Sequence, residues 1–397
     1  DRPKYKIAQT EYPRKGLTKP RKEWELKEPG FYKTGEDVIK ELSARGIEVA
    51  KILAKLKKKE KDLSAFYSSG MLRYAQDGVI HHTLNNVQTD TGRLSSSKPN
   101  AQQIPRGNTS DVREMFVSHF EGGEVAEVDF SSLEVVIQAW ISKDKNMIQN
   151  VNDGVDFHSL RLAAKLGEDY DDVVRKAKKE KDPYYDLERT KAKGFSFQRA
   201  YGAGAKAIAA STGMSIEEVE AFIEAENRMY PNVEKYNAWV ARQVDKNAVE
   251  TGTYINGVPV KFGWHKATTG TNARYGFTQQ EAPDFMKDRG VEVSFSPTQM
   301  KNYSIQGEAG GVVSTAVGMV WRKFVETGNF NNTALLMNTV HDCIWISLAK
   351  GAKEYVIPEV EKAMTAIPER YKEVYGVYVP VIFRVESEVG PNMKDLH

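Results

Sequence analysis

Two aspartates, one helix face and one polar loop carry the side chains most suited to binding or catalysis. Asp129 ends an apolar, β-branched run, VAEVDFSSLE over 125–134. At Ser131-Ser132 the period then changes to a helical one through Leu133, Val136, Ile137 and Trp140. A carboxylate at such a strand end is held by the sheet yet faces a cleft, where a hard cation such as Mg²⁺ can gather oxygen ligands. Asp342 is the second: in LLMNTVHDCIWISL, two apolar runs flank His341-Asp342-Cys343, which reads as a tight hairpin turn. If these strands neighbour the first, the two carboxylates converge. Either aspartate alone is more often a solvated turn former, so the pair gains meaning only from what lies between.

Between them runs RTKAKGFSFQRAYGAG, 189–204. Arg189, Lys193, Phe197 and Tyr201 recur every fourth residue and share one slowly drifting helix face. A nucleoside triphosphate lying along such a helix fits the order, with cations on phosphates and a ring on sugar and base; an amphipathic surface helix accounts for it equally. The loop TDTGRLSSSKPNAQQIPRG, 89–107, surrounds Arg93 with neutral hydrogen-bonding side chains. That suits sugars, phosphates and base edges better than a core.

The elements that must position these residues belong to a chain of 397 residues, too long for one simple core. With 28% charged and 40% hydrophobic residues it has an ordinary globular composition. It contains no apolar run of about 18 residues and no signal-peptide pattern at its polar, basic start. Its one cysteine, Cys343, excludes an internal disulfide framework and fits a reducing compartment, and its seven histidines show no metal-ligand spacing. The net charge of +2 hides a basic arm: residues 1–35 carry ten Lys or Arg against five acids, and KILAKLKKKEK, 51–61, adds a second basic block. Such runs are solvated faces or surfaces that follow a phosphate backbone.

In order, residues 1–34 read as an extended arm, and one helical pattern opens at 34–37 and runs to Leu56. A helix and a short extended stretch follow to Val87, and charged helical patterns fill 140–186. Two helices break at Tyr230-Pro231, a hairpin turns on Asn256-Gly257, and 270–290 reads as a mobile insertion. A long helix follows from Ser296 through Phe324, then a helix over 355–371 and a strand over 377–387.

Taken together, TGRLSS with PNAQQIP, DFSSLE, DFHS, RTKAKGFSFQRAYG, YPNVEKY, NYSIQG, VHD and the closing GPNMKDLH resemble the polymerase portion of a family A DNA polymerase, the group of bacterial DNA polymerase I and its phage relatives. The resemblance covers about residues 63–397. It implies an α+β right-hand fold with an antiparallel palm sheet, helical fingers and a partial thumb. The divisions it suggests are an arm over 1–34, a partial thumb over 35–88, palm over 89–140 and 301–397, and fingers over 141–300. It implies DNA-directed 5′ to 3′ primer extension from dNTPs, on primer-template DNA, in the cytoplasm of a bacterial or phage-infected cell. Nothing in the chain corresponds to a proofreading exonuclease, so a separate exonuclease or processivity subunit is an expected partner.

By the same resemblance, Asp129, Asp342 and the Phe130 carbonyl would hold two Mg²⁺ ions about 3.5 to 4 Å apart, with Mn²⁺ able to substitute. Arg189 and Lys193 would grip the triphosphate, Lys193 also protonating pyrophosphate, with His158 of DFHS on the same phosphates. Glu134 and Phe197 would judge the sugar, Glu134 closing the space a 2′-hydroxyl needs, and Tyr201 would stack by the templating base. Arg93 and Gln306 would reach minor-groove acceptors common to all correct pairs, Asn100, Gln102 and Asn302 would add duplex contacts, and His341 would position the primer terminus. The sequence departs from the family at Cys343, where Glu is common, at Val135, where Arg often follows the motif, and at Thr298, where the bacterial enzymes have Arg. The first predicts reduced margin and not loss of activity. The rival readings are a single-subunit RNA polymerase, disfavoured by Glu134, and a catalytically silent DNA-binding subunit.

Overall fold

The computed structural model describes Trp24 and residues 32–67, 70–105, 110–200 and 203–396. They divide into two units, one drawn from residues 1–83 and 97–112, the other from 84–96 and 113–397. Most of the expected basic arm, like Tyr201, lies outside the described residues.

In the first unit the helical pattern opening near Thr34 is two helices and not one. α1 (Glu36–Ala44) buries Val38 and Ile39, and α2 (Glu48–Asp62) follows a break at Gly46, whose φ of 82° is left-handed. The Lys57 ammonium donates to the Thr34 carbonyl and ties α2 to the chain just ahead of α1. The helix expected after Asp62 is only a π turn and a 3₁₀ turn. It leads into a minimal hairpin, β1 (Ala75–Gln76) with β2 (Val79–Ile80). The chain leaves and re-enters this unit through β3 (Thr83–Asn85) and β4 (Ser95–Ser97).

The second unit is built on β5 (Glu124–Phe130), where alternation gives each face its own core. Ala126, Val128 and Phe130 point into the main core, whereas Val125 joins Cys343, Trp345, Met393 and Leu396 in a smaller one. A left-handed Ser132 turns the chain into α3 (Leu133–Ser142), which buries Val136, Ile137 and Trp140, as the period change predicts. α4 (Lys145–Asn152), α5 (Phe157–Leu166), α6 (Tyr170–Val174), a π turn over Arg175–Lys179, α7 (Pro183–Ala200), α8 (Ala205–Thr212), α9 (Ile216–Met229) and α10 (Pro231–Lys246) follow. The break at Tyr230-Pro231 falls where proline forbids continuation.

β6 (Val249–Ile255) and β7 (Val258–Lys266) form the Asn256-Gly257 hairpin, both turn residues at positive φ. The stretch read as a mobile insertion is instead ordered, with β8 (Arg274–Thr278) on β7, β9 (Gln280–Glu281), a single turn α11 (Asp284–Lys287) and β10 (Val293–Ser294) paired to β9. Its weak pattern hid two buried rings, Tyr275 and Phe277. Threonines dock the preceding loop: Thr268 Oγ1 donates to the Ile141 carbonyl at 2.7 Å, and Thr271 Oγ1 to Glu308 at 3.2 Å. Tyr275 Oη donates to the same Glu308 oxygen at 2.9 Å. Burial pushes the Glu308 carboxyl above the ordinary carboxylate range, against these hydrogen bonds.

Glu308 lies in α12 (Pro297–Glu326), capped by Ser296 and packed through Val312, Ala316, Val320 and Phe324. A short turn α13 (Gly328–Asn332) leads to β11 (Ala334–Val340) and β12 (Cys343–Leu348). The helix expected over 355–371 is split into α14 (Lys353–Thr365) and α15 (Ile367–Tyr375), with Pro368 opening the second. The last strand, β13 (Val385–Gly390), starts later than expected because 377–384 runs without ladder pairing. The sheet order is β11-β12-β5-β13, antiparallel throughout, so the expected α+β architecture with an antiparallel sheet is borne out.

Candidate active site

The two aspartates meet at one end of this sheet. Asp129 is the penultimate residue of β5, and its Cα partner on β12 is Cys343, the residue after Asp342. Asp342 itself occupies the two-residue turn between β11 and β12, with His341 at φ 54°. Its carbonyl accepts from Phe130 N at 3.2 Å, fastening the turn to the strand end. The convergence expected from sequence therefore holds, through an antiparallel register that places β12 directly beside β5.

Arg93 and Glu134 complete this end. Arg93 Nη2 donates to Glu134 Oε1 at 3.0 Å and stands 3.9 Å from Asp342 Oδ1. Burial raises the Glu134 pKa, Arg93 opposes the rise, and Asp342 adds to it. Arg93 passes close to Gly310, where a Cβ would stand 3.2 Å from Arg93 Cγ, a tight contact, and 3.5 Å from its backbone, an ordinary one. Cys343 cannot stand in for a carboxylate, since its buried thiol donates to the Val340 carbonyl at 3.0 Å. Val135 packs against the main core.

Sequence reasoning missed one acid here. Glu386 on β13 is the Cα partner of Asp129 on the other flank, so the two side chains share a sheet face, and Ser131 Oγ donates to Glu386 at 3.1 Å. No motif marks it, because only strand register brings it near. Among the described residues no three His, Cys, Asp or Glu side chains form a ready metal cage. The donor set still suits Mg²⁺, which is bound by one or two carboxylates and completes its shell from substrate phosphates and water.

A second cluster lies on α5 and α7. Arg189 donates from Nε and Nη2 to Asp156 Oδ2, at 3.0 and 2.8 Å, and from Nε to Ser159 Oγ at 3.3 Å. Lys193 is exposed one turn on. His158 Nδ1 is 3.0 Å from Ser196 Oγ, and burial, with Arg161 and other nearby cations, pushes its pKa down to about 4. Its imidazole is thus neutral at pH 7. Burial works against ionisation of Asp156, but hydrogen bonds from Lys178 and Arg189 hold its carboxyl well below the usual range. Arg161, buried, joins α5 to α9 through Glu226, at 2.9 Å from Nε and 2.6 Å from Nη2, and to α7 through Ser196 Oγ at 2.9 Å. Phe197 lies within α7, although its side chain, like Tyr201, falls outside what is described.

On α12, Gln306 is half-buried and Asn302 is covered, 6% exposed. Asn100 and Gln102 belong to the other unit, where Asn100 Oδ1 accepts from Gln102 N at 3.1 Å. Among the described residues no helix is long and apolar enough to cross a membrane.

Comparison with known proteins adds an independent line. The family model of DNA polymerase family A matches residues 12–395. The chain is similar to the thermostable DNA polymerase I of Thermus aquaticus, 28% identical over 80% of this chain and 33% of that protein. It is likewise similar to the DNA polymerase of Bacillus phage SP01, 26% identical over 92% of this chain and 37% of the relative. It thus spans about a third of the length of these curated relatives. Among solved structures, the POL domain of Pol1 from M. smegmatis, determined in complex with DNA primer-template and dNTP, superposes with a TM-score of 0.66. That match has 23% identity and covers 93% of this chain and 57% of that one. A right-hand polymerase fold, two aspartates joined by sheet register, and a family match over nearly the whole chain lead to one conclusion: the chain belongs to DNA polymerase family A.

Proposed function

We propose that this chain extends a DNA primer 5′ to 3′ by nucleotidyl transfer from dNTPs. The observation that carries the reading is the Asp342 turn fastened beside Asp129, with Arg93 and Glu134 against it. Family A polymerases use divalent metal ions, and here Asp129, Asp342 and the Phe130 carbonyl are the groups that would hold two Mg²⁺, or Mn²⁺. Bound ions would supply activation of the primer hydroxyl and neutralisation of the triphosphate.

The chain's own residues do the positioning. Arg189 and Lys193 take the triphosphate, and Lys193 Nζ carries the proton that leaves with pyrophosphate. Neutral His158 contributes a hydrogen bond to the phosphates and no charge. Glu134, drawn by Arg93 into a half-buried place, fills the space beside the sugar where a 2′-hydroxyl would stand, and Phe197 is assigned the same task of judging the sugar. Tyr201 supports the nascent pair. Arg93, Gln306, Asn302, Asn100 and Gln102 follow the duplex, and His341, beside Asp342, places the primer end. In this reading 35–88 serve as a partial thumb, 89–140 and 301–397 as palm, and 141–300 as fingers. A separate exonuclease or processivity subunit is a further proposed partner.

Primer extension with Asp342→Asn beside the parent tests this. Loss of extension by several orders of magnitude is expected, because a developing charge loses its counter-ion support. Equal extension by the two proteins would remove the assignment.

A further inference from the structure

We infer that Lys178 is a third cation of the triphosphate grip, acting beside Arg189; this rests on the reading of α7 given above. The basic run Arg175–Lys179 forms a π turn, whose extra residue per turn shifts its side chains around the axis. Its members do different things. Arg175 is paired with Asp172 and Glu180, and Lys176 with Glu168 and Tyr185, all within ten residues in sequence. Lys178 instead reaches the DFHS turn, with Nζ 2.8 Å from Asp156 Oδ2.

That oxygen is already taken. It accepts from Arg189 Nε at 3.0 Å, Arg189 Nη2 at 2.8 Å and Ser159 Oγ at 2.9 Å, so Lys178 is the fourth donor on one carboxylate oxygen. A carboxylate oxygen presents about two lone-pair sites. The donors therefore exceed what Oδ2 can satisfy, Oδ1 already accepts from His158 N at 3.1 Å, and an anion carrying several oxygens on each centre would engage them better. Charge agrees. Lys178 and Arg189 face a single acid, and Lys193 adds a positive field that His158 registers. The Lys178 side chain is 46% exposed, so a ligand arriving from solvent can reach it, whereas the Asp156 side chain is 13% exposed and stays behind as the anchor. Because Lys178 meets the Arg189 end of the helix face and not the Phe197 end, it would take the terminal phosphate, away from the sugar.

The test uses the full chain in single-nucleotide insertion on a primer-template. Lys178→Ala should raise the KM for dNTP about tenfold, the worth of one charge-assisted hydrogen bond. kcat, melting temperature and affinity for primer-template should stay unchanged, and Lys178→Arg should recover most of the loss. Calorimetric titration with inorganic tripolyphosphate gives a readout independent of turnover: Lys178→Ala should weaken its binding, and that of inorganic pyrophosphate, which keeps the terminal phosphate. Unchanged KM and unchanged tripolyphosphate affinity would overturn the inference, as would a fall in kcat and melting temperature with KM unmoved. A parent that binds tripolyphosphate through Lys178 yet extends no primer would refute the polymerase reading and leave the cation site standing.

Discussion

Substituting Arg161 by Met tests how the nucleotide-facing helix is held. The Arg161 side chain is 4% exposed and that of Glu226 11%, and their contacts at 2.9 and 2.6 Å join α5 to α9. Removing one partner of such a buried pair leaves the other charge stranded, at a cost of about 3–5 kcal/mol. Arg199 Nε, 3.5 Å from Glu226 Oε2, remains as partial compensation and places the expected cost near 3 kcal/mol. Since every 1.4 kcal/mol is tenfold, the α5–α9 contact should open about a hundredfold more often. Native-state hydrogen exchange on the amides of α5 and α9 measures that opening directly. Ser196 loses the Arg161 hydrogen bond at the same time, so the KM for dNTP should rise. Arg161→Met with Glu226→Leu should restore much of the protection, because an apolar pair removes the stranded charge. A single variant within about 0.5 kcal/mol of the parent, or a double variant as loose as the single, would show that the Arg161–Glu226 pair does not hold α5 to α9.

Further outcomes follow from the same geometry. His158, with its folded pKa lowered to about 4, contributes stability that is present above its unfolded pKa near 6.5 and lost as pH falls toward 4. An imidazole titration near 6.5 by NMR would contradict the burial argument, and His158→Gln should flatten that part of the stability profile. Gly307→Ala should destabilise by about 1–3 kcal/mol, although alanine favours helices, because its Cβ would stand 2.2 Å from Tyr275 Cε1, a ring fixed by its bond to Glu308. A thermal midpoint at or above the parent's would show that the ring yields. Glu134→Ala should narrow the preference for deoxy- over ribonucleotides by at least about tenfold, the scale on which a pocket excludes a small group. Competing insertion of dNTP and rNTP reads this out, and an unchanged ratio would clear Glu134 of the role.

Local periodicity and turn chemistry made several features legible without any coordinates. The β5-to-α3 switch at Ser131-Ser132, the Asn256-Gly257 hairpin, the His341-Asp342 turn and the spacing of Arg189 and Lys193 all follow from rules acting over a few residues. At Gly46 and Pro368 the stop signals are present but the apolar period continues across them, so periodicity alone joins α1 to α2 and α14 to α15. Tertiary structure alone decided which strand lies beside Asp129, because register is fixed by packing of whole faces, and with it the position of Glu386. It also turned the polar stretch around Tyr275 into an ordered sheet, since a threonine or tyrosine hydroxyl looks solvated in sequence until a buried partner such as Glu308 claims it. The convergence of Lys178 and Arg189 on one oxygen of Asp156 belongs to the same class: long side chains from separate turns meet only once the helices are packed.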